Sequence, residues 1–328
     1  MGLAKKLIMN AIKAGVTLGI LIYLYKRGLL DFTRVRVVLT NPFVFFVSFF
    51  VLSSTCVAAT VRWWLLLVGQ RLTVRKFETF ELSMIGVFFN TAIPGAVSGD
   101  LVKGYYVVRQ QHDGRGRIKA FTTLLLDRLL GLSALICVSF AAMVLNIGEV
   151  MTNPALRPLA GLITLLWLGV VAFYAFVLIE WSFSKKLITL LGKLPAGDYL
   201  VKLFEAVKTY ESCRHYVYKG LAISVAIHCS IIGVIVLLAN SLGGFEGVPL
   251  SKFFFLVPFG MLVTAIPIAP AGLGTGHVAF LELFKLAGAQ GGADLFTAYI
   301  TFQILISLIG GLFYVRYRGH LPKAAELS

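Results

Sequence analysis

Hydrophobic positions in this chain come in long unbroken blocks, not in the alternating or half-apolar patterns of elements that face water. Six blocks lie at about 7–25, 42–68, 119–146, 157–180, 217–242 and 293–315. Each is near or above the roughly 20 apolar residues that cross a bilayer as a helix. Two further apolar segments, at about 79–108 and 250–288, are interrupted. Pro94-Gly95-Ala96-Val97-Ser98-Gly99-Asp100 breaks the first, and Pro267-Ile268-Ala269-Pro270-Ala271-Gly272-Leu273-Gly274-Thr275-Gly276 breaks the second. Backbone freed by such breaks cannot face lipid, so it is buried in protein or lines a wet cavity. The pattern predicts an all-α polytopic membrane protein of about six transmembrane helices with two broken-helix segments. Broken segments at matching places in two halves of a chain point to a transporter's binding site.

Loop charges decide whether each broken segment crosses or turns back, because cytoplasmic loops carry the excess of Lys and Arg. If both are re-entrant hairpins, four basic regions share one side: Arg71 to Lys76, Arg109 to Lys119, residues 185–214, and Arg316 to Lys323. The charge-poor loops at 149–157, 243–247 and 288–292 then share the other. If both crossed, two of the basic loops would face away from the cytoplasm, so the re-entrant arrangement is preferred. It leaves Lys26, Arg27, Arg34 and Arg36 on the outer side, a conflict that a peripheral or partly inserted first helix would remove. Helix, hairpin and helix then occur twice in opposite orientation. This predicts an inverted repeat within one integral-membrane domain spanning 1–328, with a first repeat at about 42–146 and a second at about 217–315.

Composition fits this picture. Hydrophobic residues make up 58% of the 328 positions and charged ones 14%, and the mean hydropathy is +0.87. The formal charge of +15 lies between apolar blocks rather than on a soluble basic domain, which argues against nucleic acid as a partner. Cys56, Cys137, Cys213 and Cys229 show no metal-ligand spacing and read as small reduced hydrophobes. Lys5 and Lys6 precede an apolar run with no small-residue cleavage site, so the N-terminus is expected to be a retained helix. At 198–213, Leu200, Leu203, Phe204, Val207 and Tyr210 recur at helical spacing opposite Lys202, Glu205, Lys208 and Glu211, with Asp198 placed as N-cap. This is an amphipathic helix, either lying on the cytoplasmic membrane surface or packed on the bundle as a connector.

Charges at membrane depth cost on the order of 2.5–3.5 kcal/mol each on insertion scales, so each needs a partner or a purpose. Arg62, Asp127 and Arg128 lie well inside their helices. Neighbours on a helix diverge in direction, so Asp127 and Arg128 cannot neutralise each other well. The expected partners are Asp100 and Lys103 near the first break. Two readings stand: a buried ion-pair network, or a cationic pocket for a phosphate headgroup, a task suited to Arg. Asp100 could equally be an N-cap. Gly272, Gly274 and Gly276 would let backbone approach a ligand, with the next helix aiming its amides at it. His277 and Glu282 follow that loop, while His228 and Gln303 sit near mid-depth. His228 reads as a hydrogen-bonded core residue or, with Glu282 and Gln303, as part of a proton relay. No pair of metal ligands stands at helical spacing in these segments, and no nucleophile elbow is present. Neither a metal nor another cofactor is expected.

Arg62-Trp63-Trp64, "NTAIPGAVSGDLVKGYYV", "LLLDRLLGL" and "IPIAPAGLGTGHVAFLELF" together resemble the lysylphosphatidylglycerol synthase transmembrane family over roughly 10–318. This is the flippase-like region of bacterial multiple peptide resistance factors, which also occurs as stand-alone proteins. The resemblance implies a lipid-translocating bundle with two re-entrant hairpins. Carried over by position, its motifs fall on Pro94, Gly95, Gly99, Asp100 and Lys103, on Asp127 and Arg128, and on Pro270, Gly272 and Gly274. The chain departs from the family at His277, where Glu is frequent, and at Gly276, where Arg is common, which puts the family's usual headgroup in question. Only about ten polar residues follow the last apolar block, with no aminoacyl-transfer domain, so lysyl-lipid synthesis by this sequence alone is not expected.

These observations lead to the expectation of an inner-membrane lipid flippase for an anionic or zwitterionic phospholipid or a polyprenyl phosphate. Arg62, Lys103 and Arg128 would hold the headgroup, Asp100 and Asp127 would keep the empty site neutral, and the hairpin tips would form the gates. Membrane lipids are the expected partners, together with a second copy of the chain or a lipid-synthesis enzyme. The competing reading is a membrane glycosyltransferase or another lipid-modifying transferase, for which only Asp100 and Asp127 offer a carboxylate pair.

Overall fold

The structure, a computed structural model, describes residues 22, 25–26, 31–72, 74–93, 98–111, 113–178, 197–266 and 270–318. Among these it is all helical: α1 (Phe32–Thr40), α2 (Pro42–Gly69), α3 (Lys76–Ala92), α4 (Ser98–Arg109), α5 (Gly114–Leu145), α6 (Ile147–Thr152), α7 (Arg157–Leu178), α8 (Gly197–Ser212), α9 (Arg214–Leu242), α10 (Leu250–Thr264), α11 (Thr275–Leu286) and α12 (Gly292–Arg318). Five of them, α2, α5, α7, α9 and α12, are long and apolar enough to cross a membrane. They coincide with five of the six expected blocks to within a few residues. The sixth block, at 7–25, lies almost wholly outside the described residues, as do Pro94, Gly95 and 267–269. The long helices expose regular apolar stripes, such as Phe43, Phe46 and Phe50 on α2 and Leu308, Leu312 and Val315 on α12. At about 25 cal/mol per Å² such stripes are unfavourable in water and neutral against lipid tails. The chain is a multi-pass membrane protein.

The described residues fall into two compact units, and each gathers segments from both halves of the sequence. The first takes residues to Cys56, Phe80–Lys103 and Ser230 onward; the second takes Val57–Thr79 and Gly104–Cys229.

In the first unit, α12 is the common spine. Its N-terminal part packs on α11 through Phe296 against Phe280, with ring centroids 5.1 Å apart. Its C-terminal part packs on α3 through Phe313 against Phe80 and Tyr314 against Phe89. Short α1 docks at the start of this spine. Arg34 bonds Asp294 at 3.1 Å and donates to the carbonyls of Leu242 and Gly243. The sequence left Arg34 as an unexplained cation beside the charge-poor loops; here its charge is consumed in a clamp that ties those loops together.

Both broken segments are helical hairpins. Gly86 of α3 faces Gly99 and Lys103 of α4, while Glu78 accepts a bond from Gln110 beyond the other end of α4. In the second hairpin, Phe253 of α10 meets Phe284 of α11, and Gly260 meets Phe280. The contacts run antiparallel in each case.

The second unit is built on α5 and the C-terminal half of α2. Leu66, Leu126, Leu130, Val177, Tyr210 and Val217 form its buried apolar cluster. The amphipathic helix α8 begins at Gly197, one residue ahead of the expected Asp198 cap. It packs on α5, α7 and the end of α2. The Tyr210 hydroxyl donates to Leu66 O at 2.8 Å, Gln70 Nε2 donates to Ala206 O at 2.6 Å, and Phe204 meets Phe176. Ala206 and Tyr210 are buried against the bundle.

Candidate functional site

A buried polar centre occupies the interior of the second unit. Arg62 on α2 and Asp127 on α5 are 9% and 7% exposed, and their side chains meet at 2.7 Å through Nε and Oδ1. Arg62 Nη1 donates to the Ser224 hydroxyl on α9 at 2.9 Å, and Ser224 in turn donates to Gly220 O. Room for the guanidinium comes from two residues without side chains. A Cβ on Gly131 would lie 3.3 Å from Arg62 Nη1, and one on Gly220 would lie 3.5 Å from Arg62 Cγ. The indole of Trp63, next along α2, is fully buried and donates to Thr123 Oγ1. That bond fixes the rotation of α2 and so the direction of Arg62.

His228 Nε2 bonds Gly131 O at 2.9 Å from α9. Its buried Nδ1 has no hydrogen-bond partner among the described residues, and the buried hydroxyl of Tyr174 on α7 is turned toward Ser133 of α5. Four long helices thus converge on one ion pair, two ring-borne polar atoms and two hydroxyls. Such a group is costly to bury unless it is completed by further bonds.

Asp127 was expected to look toward Asp100 and Lys103; its partner is Arg62. The pairing depends on the rotation of α2 against α5, which residue spacing within one helix does not encode. Asp100 pairs with Lys103 at 3.0 Å, three residues along the same helix. It lies in the first turn of α4. Gly99 N–H donates to Asn90 Oδ1, and the Ser98 hydroxyl donates to Phe89 O. The stem of Lys103 crosses Gly86, and a Cβ on Gly99 would lie 1.9 Å from Gly86 O. Glycine at 99 is required by that close approach. Arg128 is half-buried one position past Asp127.

The second hairpin turn is made differently. Ala271, Gly272 and Gly274 have φ of 50°, 70° and 83°. Gly272 faces Thr264 so closely that a Cβ would lie 2.6 Å from it. His277 was expected at the hairpin tip. It is 2% exposed and fully bonded, with Nδ1 accepting from Gly274 N–H and Nε2 bonding Thr297 Oγ1. Thr297 gives its own proton to Ala293 O, so His277 carries its proton on Nε2. It locks the turn onto α12. Gly276 lies flush against the Phe296 ring. Pro270 begins the short 3-10 turn that precedes these residues. Glu282 is exposed, and Gln303 donates to the Tyr299 hydroxyl within its own helix. Among the described residues no three His, Cys, Asp or Glu side chains come close enough to hold a metal ion.

Sequence reasoning missed Ser224, Tyr174, Thr297, Asp294 and Gly131. Isolated hydroxyls and glycines in apolar helices give no signal by themselves; a polar residue within the same helix face as Arg62 or His228 was the available hint.

The chain belongs to the family described as the lysylphosphatidylglycerol synthase TM region, whose model matches residues 10–312. This makes it a membrane protein of a lipid-handling family. No curated protein and no solved structure shows a significant match.

Proposed function

We propose that the chain translocates a lipid with a phosphate headgroup, either an anionic or zwitterionic phospholipid or a polyprenyl phosphate, across the inner membrane. The observation that carries this reading is the pair of hairpins. Helices α4 and α11 have 12 residues each, about 18 Å at 1.5 Å per residue. That is short of the roughly 30 Å hydrocarbon core. Short antiparallel helices within a multi-pass protein support re-entrant segments, one from each face, related as an inverted repeat. Contact of α3 and α11 with different parts of α12 is consistent with that opposition.

In this mechanism the headgroup phosphate enters the centre of the second unit and competes with Asp127 for Arg62. Asp127 neutralises Arg62 when the site is empty and yields one side of the guanidinium fork to the lipid. His228 Nδ1 accepts from a hydroxyl or ammonium group of the headgroup. Arg128 adds charge, and Asp100–Lys103 plays the corresponding part at the first hairpin. Gly272 and Gly274 serve as hinges of the second gate.

Liposomes carrying the protein, a fluorescent lipid and a surface-restricted quencher test this. Wild-type protein should exchange lipid between leaflets. Gly272→Val, which adds bulk at a positive φ, should still capture lipid in detergent but fail to deliver it. If the wild type exchanges no phospholipid or polyprenyl phosphate and instead forms a new lipid product from a sugar donor, translocation is replaced by transfer chemistry.

A further inference from the structure

A second polar feature of the same unit lies apart from the Arg62 centre. The start of α5 and the outer face of α8 line a half-open cavity of about 220 Å3, bounded by Arg115, Ile118, Lys119, Lys202, Glu205, Ala206 and Thr209. Three cations and one carboxylate give it a net charge of +2. No hydrogen bond or salt bridge to another described side chain occupies these four charges. The cavity is a built feature because α8 is fixed. Besides the Tyr210 and Gln70 bonds, Lys208 pairs with Glu211 and reaches Phe176 O, and Asp113 caps α5 by accepting from Gly116 N–H. The outward Lys202 and Glu205 are therefore held opposite Arg115 and Lys119. Lys202 and Glu205 on the other face of α8 are exposed, so what that face offers is charge.

The volume is below the roughly 300–1,000 Å3 of pockets for drug-sized ligands, which suits a phosphate with a short substituent. Arg115 can contact two phosphate oxygens through its planar fork, while Lys119 and Lys202 act as point charges. The apolar run of α5 begins directly after Lys119, so the cavity sits at the end of a spanning helix, at headgroup level. Basic pockets in that position take anionic lipid headgroups, each cation contributing about 1 kcal/mol, a factor of about five in affinity.

We infer that this cavity binds the phosphate of an anionic molecule, separately from any translocated lipid. The chemistry is shared by a lipid headgroup such as phosphatidylglycerol and by soluble phosphate. Native mass spectrometry of the full chain with short-chain phosphatidylglycerol reads the number of bound lipids and their affinities. Arg115→Gln, Lys119→Gln or Lys202→Gln should each weaken one site about fivefold, and the triple variant on the order of a hundredfold, removing one lipid from the bound count. Glu205→Gln should strengthen that site. Arg214→Gln with Lys219→Gln, a matched loss of exposed charge, should leave it unchanged. If the control pair weakens binding as much as the cavity variants, or the cavity variants bind like wild type, the inference falls. Because the single variants and Glu205→Gln change surface charges only, they decide the matter even if the triple variant folds poorly. Competition assigns the source: displacement of phosphatidylglycerol by millimolar inorganic phosphate marks a soluble phosphate as the ligand, and resistance marks the lipid. Leaflet exchange by the single variants should remain at wild-type level, so failure here and failure of translocation are separately visible.

Discussion

The pairs Arg62–Asp127 and Arg34–Asp294 differ in almost everything but their atoms. Arg62–Asp127 lies well within two long helices, with side chains 11% and 9% exposed. Arg34–Asp294 lies where a short helix meets the first turn of α12, with side chains 35% and 4% exposed. The buried pair shares its surroundings with a histidine nitrogen that lacks a partner among the described residues. Arg34 instead spends its donors on two loop carbonyls besides the carboxylate. A pair that completes its own bonding closes loops and nothing more. A pair set beside a spare polar atom has bonding capacity left for a ligand.

The difference predicts very unequal costs of breaking each pair. Asp127→Ala leaves Arg62 as an uncompensated buried charge and should destabilise by about 3–5 kcal/mol. Adding Arg62→Leu to it should restore most of the loss, because a buried ion pair replaced by apolar side chains is often neutral. Thermal unfolding in detergent measures both. If the double variant is no more stable than Asp127→Ala alone, the loss does not come from leaving the Arg62 charge unpaired.

Arg34→Ala should cost less, about 1–2 kcal/mol, since its charge-assisted bonds are partly solvent-screened. It should also leave the topology unchanged. Cysteine at position 115 should label from the cytoplasmic face and cysteine at 244 from the other, with and without the substitution. Inversion of that pattern in the Arg34→Ala variant would show that Arg34 acts as a topological signal and not as a clamp.

This pairing marks where the sequence could be read and where it could not. Hydropathy located α2, α5, α7, α9 and α12 because a bilayer demands long apolar runs whatever their neighbours. The two Pro-Gly breaks located the hairpins because only those residues free the backbone. Partners were another matter. Arg62 finds Asp127 from 65 residues away and Ser224 from 162 away, through helix rotations set by small residues such as Gly131 and Gly220. His277 looked like a tip residue from its place after the glycines, yet Thr297 draws it into the interface with α12. Arg34 looked like a misplaced topogenic charge because its carbonyl partners are backbone, which no side-chain pattern displays.

A smaller effect on stability should accompany the spare capacity of the buried centre. His228→Leu removes one bond to Gly131 O and one unpartnered nitrogen. The loss of a bond near 1 kcal/mol is then offset by relief of a buried unpaired acceptor. Folding should change little, while lipid exchange in liposomes should fall sharply. His277→Leu should behave oppositely, since both its nitrogens are bonded: a clear loss of stability of about 1–3 kcal/mol, with exchange lost only as far as the protein unfolds. Equal behaviour of the two variants would erase the distinction between a bonded and a spare histidine.

The smallest effect concerns acid, and it should appear at the exposed clamp. Asp31, which caps α1 beside Arg34, is held below the usual carboxylate range by the N–H of Thr33. Glu246 is likewise lowered, first by its own backbone N–H and then by that of Gly244. A carboxylate whose folded value is depressed contributes stability that is present above its unfolded value and lost as pH falls through the folded one. Ordinary values are about 3.9 for Asp and 4.3 for Glu, so the contribution should be constant near neutrality and fade below about pH 4. Asp31→Asn and Glu246→Gln should each lower the melting temperature slightly at pH 7 and match wild type at the lowest pH where the protein stays folded. Both groups are fully exposed, so the difference should also shrink in high salt. A gap between wild type and these variants that stays constant into acid would mean that the loops are held by Arg34 alone, with no help from the carboxylates around it.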